Sequence, residues 1–118
     1  MVAELHARAP LFETGAVRSI YFGGGTPSLA PLRFFEYLLA DVRSRFVVHD
    51  DVEITCEINP GTVNHEILEG YLNVGINRLS LGWQSTHQSL LKTLGRDHTV
   101  GESERAFHDA RAVGFDNI

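Results

Sequence analysis

Apolar and polar positions along this chain switch between two periods, and each switch marks a new element. Val17–Phe22 is a short β-rich run that passes straight into Gly23-Gly24-Gly25 and a Thr26-Pro27-Ser28 turn. From Pro31 to Phe46 the spacing becomes helical: Leu32, Phe35, Leu38, Leu39, Val42 and Phe46 share one side, with Arg33, Glu36 and Arg43 on the other. Val52–Ile58 alternates residue by residue, which predicts a second strand ended by Asn59-Pro60-Gly61. A helix follows from about Asn64 to Val74, and Gly75 suits the left-handed residue after it. Asn77–Leu81 is the third strand. A helix from about Thr86 to Leu94 comes next, with Ser85 and Gln88 at capping-box spacing and Gly95 behind it. Thr99 and Glu102 repeat that spacing before a fourth helix carrying Ala106, Phe107, Ala110 and Val113 and ending at Gly114. Phe115–Ile118 opens a further strand.

Strands that alternate with helices imply an α/β fold with a parallel sheet and right-handed crossovers. Residues 1–16 read as a leading arm or short helix. Residues 17–118 read as one body of three βα units, a further helix and the start of a fourth strand. The strands also predict what the sheet faces. Val52, Ile54, Cys56 and Ile58 alternate with Glu53, Thr55 and Glu57, and Leu79 and Leu81 with Arg78, Ser80, Gly82 and Gln84. Side chains alternate faces along a strand, so one face packs on helices and the other is polar. A closed barrel filled by its own side chains would be apolar on both. The pattern instead suits a sheet curved around a large polar ligand, or the solvent-exposed face of an open sheet.

Composition narrows the function classes. The 118 residues are 43% hydrophobic and 21% charged, the balance of an ordinary globular domain. A formal net charge of −5 argues against a nucleic-acid binder, which would carry a basic face. No apolar run is long enough for a membrane span and the first residues lack a signal-peptide core, so a cytoplasmic location is expected. Cys56 is the only cysteine, so neither a disulfide framework nor an all-cysteine metal site can form within the sequence. His6, His49, His65, His87, His98 and His108 are scattered, without metal-ligand spacing to one another or to Cys56.

The candidate chemistry gathers at the strand ends. Three consecutive glycines strip side chains from the carboxyl end of the first strand, so a ligand can touch bare N–H and C=O groups there. Ligands of α/β folds bind at that end. A single glycine would suit a tight turn; three exceed what a turn needs. Glu57 and Gln84 end the next two strands on the polar face, and Arg96 follows a helix end. Each could equally orient a loop or sit in solvent. Cys56 and Trp83 alternate to the helix-facing side, where core packing is their expected role, with stacking on a ligand ring the other reading for Trp83.

The segments Tyr21-Phe22-Gly23-Gly24-Gly25-Thr26-Pro27-Ser28, Glu57-Ile58-Asn59-Pro60-Gly61-Thr62, Asn77-Arg78-Leu79-Ser80-Leu81-Gly82-Trp83-Gln84-Ser85 and Leu94-Gly95-Arg96-Asp97-His98 occur in that order. Together they resemble the radical S-adenosylmethionine (SAM) superfamily, in its oxygen-independent coproporphyrinogen III oxidase-like group. The second and third segments lean toward the heme-chaperone branch of that group. The resemblance covers Val17 to Ile118 and implies part of a six-unit (β/α) partial barrel. It implies SAM as cofactor, with Gly24, Gly25 and Thr26 beside its methionine moiety. Glu57 would then meet its ribose or amino group, Gln84 would contact the same molecule, and Arg96 would pair with its carboxylate, a task suited to a guanidinium fork. Heme or a porphyrin would be the partner of the parent protein.

The resemblance stops short of the chemistry. The family's Cys-x3-Cys-x2-Cys loop, which holds a [4Fe–4S] cluster, has no counterpart here, and Cys56 faces the wrong way to replace it. The sequence therefore reads as an internal fragment, about a third of such a protein, inactive by itself, and either aggregation-prone or oligomeric or stable only beside the remainder of its parent. A free-standing βα module that binds phosphate through Gly23–Gly25 is the other reading.

Overall fold

The computed structural model describes residues 2–12 and 15–118. A leading helix α1 (Val2–Arg8) and a 3-10 turn (Ala9–Leu11) precede strand β1 (Val17–Phe22). Then come α2 (Leu32–Arg45), β2 (Val48–Ile58), α3 (His65–Val74), β3 (Arg78–Leu81), α4 (Gln88–Thr93) and α5 (Val100–Val113). The leading segment is thus a short helix where it is described; positions 1, 13 and 14 of it lie outside the described residues. The three strands form a parallel sheet in the order β1-β2-β3. Arg78 also pairs with Asn117 in a parallel bridge, the opening of the fourth strand that Phe115–Ile118 predicts.

The register carries the two-faced pattern across the sheet. Phe22, Cys56 and Leu79 lie side by side, as do Ile58 and Leu81, and this row meets the helices. Tyr21, Thr55 and Arg78 form one row of the opposite face, and Glu57 and Ser80 the next. The apolar face packs around Phe35 of α2, which is fully buried. Its ring sits edge-on to Phe22, Phe34 and Tyr71, with centroids 5.0, 5.4 and 5.2 Å away. Edge-to-face pairs add to the burial term, and truncating such a ring to alanine costs about 3–5 kcal/mol.

Two boundaries differ from the sequence reading. Strand β2 begins at Val48, four residues earlier than the alternation indicates. Between Val17 and Ser19 the pairing jumps from Val48 to Glu53, so the polar run His49-Asp50-Asp51 bulges out of register and hides the strand. The Ser85–Gln88 capping box does not form. Helix α4 starts at Gln88 with His87 as its N-cap and no side-chain cap bond. Ser85 Oγ instead accepts from the His87 N–H, and Gln88 Oε1 accepts from the Val100 N–H, so both side chains serve neighbouring loops. The Thr99–Glu102 box does form in full. Gly75, Gly95 and Gly114 each take the left-handed conformation after a helix.

Candidate functional site

The carboxyl ends of the three strands open on one cleft of about 330 Å3. Gly25, Thr26, Glu57, Gln84 and Arg96 line it, together with Asn59, Ser80 and Gly82. Five of the six residues singled out from the sequence therefore meet in one place. The sixth, Gly24, does not line the cleft, but its N–H donates to Glu57 Oε2 at 3.2 Å. Clefts from about 300 Å3 upward are of ligand-holding size.

Glu57 is held from two sides. Its Oε1 accepts from the Tyr21 hydroxyl at 2.7 Å while Oε2 takes the Gly24 N–H. A carboxylate offers about four lone-pair positions, so two protein donors leave acceptor capacity for a ligand. That hydrogen bond to Glu57 holds the Tyr21 phenol above its usual range, because it stabilises the neutral, donating form. Gly23 has a steric reason to be glycine: an added Cβ would lie 2.6 Å from the Tyr21 ring and 3.2 Å from the Glu57 carboxyl carbon. Gly24 and Gly25 have a conformational one, with φ of +82° and +60°.

Gln84 sits on strained backbone. Its φ is +66°, the only positive value outside glycine among the described residues. The Ser85 N–H donates to the Trp83 carbonyl at 2.8 Å, closing a γ-turn with Gln84 at its centre. Strain of this kind costs about 1–3 kcal/mol and collects at ligand-holding sites. Arg96 is placed by the end of α4. The Arg96 N–H donates to the Leu91 carbonyl at 2.9 Å and the Gly95 N–H to the Lys92 carbonyl at 3.0 Å, the paired bonds of a Schellman ending.

Sequence reasoning missed the residues that hold the site together. Ser28 is buried, and its Oγ meets Thr62 Oγ1 at 2.5 Å and accepts from the Asn59 N–H at 3.2 Å. This pair staples the glycine loop to the turn that follows Glu57. Tyr21 lies on the polar face beside Thr55, a placement that follows from the pairing of β1 with β2. Nothing in the sequence signals the Ser28–Thr62 pair, whose members lie far apart along the chain. Trp83 packs toward α5, its ring 6.2 Å from that of Phe107, on the helix side as its alternation predicts.

The residues suit SAM and do not suit a cluster. The cleft offers a carboxylate, a guanidinium, an amide and bare backbone, which match an amino-acid zwitterion joined to a nucleoside. Cys56 is fully buried against the helices, and burial, with the neighbouring Glu57 charge, pushes its thiol up to about 12. A buried, protonated thiol is not a ligand. Among the described residues no three His, Cys, Asp or Glu side chains converge as a metal site.

Comparison with known proteins agrees with this geometry. The chain is 42% identical over 99 residues to the heme chaperone HemW of Haemophilus influenzae and 44% identical over 99 residues to that of Escherichia coli. Each alignment covers 84% of this chain and 26% of the relative. The solved coproporphyrinogen III oxidase HemN of Escherichia coli, described as a radical SAM enzyme, superposes with a TM-score of 0.86 at 29% identity. That match covers 98% of this chain and 26% of HemN. The chain thus spans about a quarter of the length of these relatives, less than the third expected from the sequence. Residues 2–118 match the model of the radical SAM superfamily. With that match, the parallel βα units and the four ordered motifs, the chain belongs to the radical SAM superfamily, as a portion of the α/β partial barrel resembling HemW and HemN.

Proposed function

We propose that this chain is the SAM-holding portion of a heme-handling radical SAM protein, nearer the heme chaperones than the oxidases. The single observation that supports it best is the convergence of Glu57, Gln84 and Arg96 with the glycine loop at one cleft. Arg96 pairs with the SAM carboxylate. Backbone carbonyls of the glycine loop at Gly25, beside Thr26, take the ammonium end, while Gly24 holds Glu57 from behind. Glu57, held by Tyr21 and Gly24, accepts from a ribose hydroxyl or the ammonium group, and Gln84 adds an amide contact. SAM supplies, when bound and reduced in such proteins, a carbon radical; this chain's residues bind and orient it. The 42–44% identity to proteins named heme chaperones supports heme as the parent's partner. A cytoplasmic location accompanies this reading; no helix among the described residues is long and apolar enough to cross a membrane.

The phosphate reading is weaker on electrostatic grounds. The Gly24 N–H, one of the donors that would cradle a phosphate, is already given to Glu57, whose carboxylate also lines the cleft and would repel an anion. Isothermal titration of the chain with SAM and with inorganic phosphate separates the two. Saturable SAM binding lost in Arg96→Ala supports the proposal, and phosphate binding without SAM binding overturns it.

A further inference from the structure

His98 lies outside the cleft, yet its surroundings tie it to two of the cleft's residues. It is 2% exposed, and its Nε2 is 3.3 Å from the carbonyl oxygen of Trp83. A carbonyl only accepts, so Nε2 carries the hydrogen and donates. This is the same oxygen that takes the Ser85 N–H to close the strained turn around Gln84. Among the described residues Nδ1 is buried without a partner, and the ring has one polar engagement, the Trp83 carbonyl. Burying an imidazole with one nitrogen unpaired is costly, and a purely space-filling role would be met more cheaply by leucine.

The side chain also begins close to a second turn. Its Cβ would lie 3.6 Å from a methyl added at Gly61, in the turn after Glu57. His98 closes the short loop that begins at the α4 terminus and carries Arg96. One side chain thus bonds the turn presenting Gln84, belongs to the loop presenting Arg96, and lies close to Gly61 in the turn behind Glu57.

We propose that His98 is a positioning residue for the cofactor cleft: its Nε2–H fixes the Trp83 carbonyl, keeps Gln84 in its positive-φ turn, and so holds Gln84 and Arg96 on a common rim. The inference rests on the SAM reading for its ligand, but the latch itself has a readout that needs no ligand. Trp83, whose carbonyl is held, is the sole tryptophan of the chain, so its fluorescence reports the turn directly.

The test compares His98→Gln, whose amide nitrogen reaches the Nε2 position, with His98→Leu, which keeps volume and removes the donor. Without SAM, His98→Leu shifts Trp83 emission to the red and raises its quenching by acrylamide, while His98→Gln stays close to the unsubstituted chain. With SAM, affinity falls roughly 2- to 12-fold in His98→Leu, the worth of one neutral hydrogen bond, and is retained in His98→Gln. Should His98→Leu fail to fold, His98→Asn, polar but too short to reach the carbonyl, takes its place with the same expected losses. Equal disturbance of Trp83 and of melting temperature by both substitutions overturns the latch in favour of bulk packing. An undisturbed Trp83 in His98→Leu, or unchanged SAM affinity in that variant, overturns it as well. If the unsubstituted chain binds no SAM, the functional reading fails, and the Trp83 signals of the two variants alone decide the latch.

Discussion

The Tyr21 hydroxyl donates to Glu57 Oε1 at 2.7 Å across adjacent strands, so the carboxylate at the head of the cleft is aimed before any ligand arrives. Preorganisation of this kind cuts the entropy a ligand must offset on binding. Glu57→Ala should weaken SAM binding roughly 2- to 150-fold, spanning the loss of a neutral to a charged hydrogen bond. Tyr21→Phe leaves the carboxylate in place but frees its rotamer, so the loss should be smaller, roughly 2- to 12-fold. Ultraviolet titration gives an independent check. In Glu57→Gln the Tyr21 phenol loses its charged acceptor and should ionise at lower pH. Unchanged SAM affinity with a lowered melting temperature in Glu57→Ala would assign the residue to the scaffold instead.

Cys56 should be chemically silent while the chain is folded. Its thiol is buried and pushed up to about 12, whereas a free thiol ionises near 8.5. At pH 8 an aromatic disulfide reagent should react only as fast as the chain unfolds, and denaturant should release the full thiol signal at once. Incubation of this chain with iron and sulfide should give no stable cluster absorbance, because one buried thiol cannot act for three thiolates. Rapid labelling in native buffer would contradict the burial; a stable cluster spectrum would contradict the assignment of Cys56 to the core.

Much of this fold was legible because its signals are local. The Gly23–Gly25 run marks the end of β1, the alternation in Val52–Ile58 encodes most of β2, and the Thr99–Glu102 box starts α5, each within a few residues. The apolar spacing of Phe35, Leu38 and Leu39 named three buried residues of α2. What escaped depends on partners distant in sequence. The start of β2 is fixed by pairing of Val48 with Val17. Ser85 and Gln88 spend their side chains on His87 and Val100 rather than on each other. Glu57 and Gln84 could be placed on one face by counting alternations. The strain at Gln84 could not, since a residue with no special liking for positive φ occupies it only because the turn around it is held by hydrogen bonds.

Acid should loosen α5 first at its amino end. The backbone N–H and hydroxyl of Thr99 both donate to Glu102 Oε2, at 2.6 and 2.8 Å, and hold that carboxyl below its usual range. A pKa lowered by folding means the box contributes fully above the ordinary glutamate value of about 4.3 and loses its contribution as pH falls through the lower folded value. The melting temperature of Glu102→Gln should therefore lie below that of the unsubstituted chain at neutral pH. The gap should close as the pH is taken below about 4. A gap that stays constant with pH would remove the charge of Glu102 from the stability of the cap.

Gln84 sets stability against binding. Its φ of +66° costs a side-chain-bearing residue energy that glycine does not spend. Relief of about 1–3 kcal/mol of strain is partly offset by glycine's larger loss of chain entropy, about 0.5–1 kcal/mol. Gln84→Gly should thus melt at the same temperature as the unsubstituted chain or slightly higher, while Gln84→Ala, which keeps the strain, gains nothing. Both substitutions remove the amide from the cleft, and SAM affinity should fall roughly 2- to 12-fold in each. The two variants together separate backbone from side chain. If the glycine variant is the more stable and both bind weakly, the turn is strained in order to present the amide. A loss of affinity in Gln84→Gly alone would mean that turn geometry, rather than the amide, is what the ligand meets.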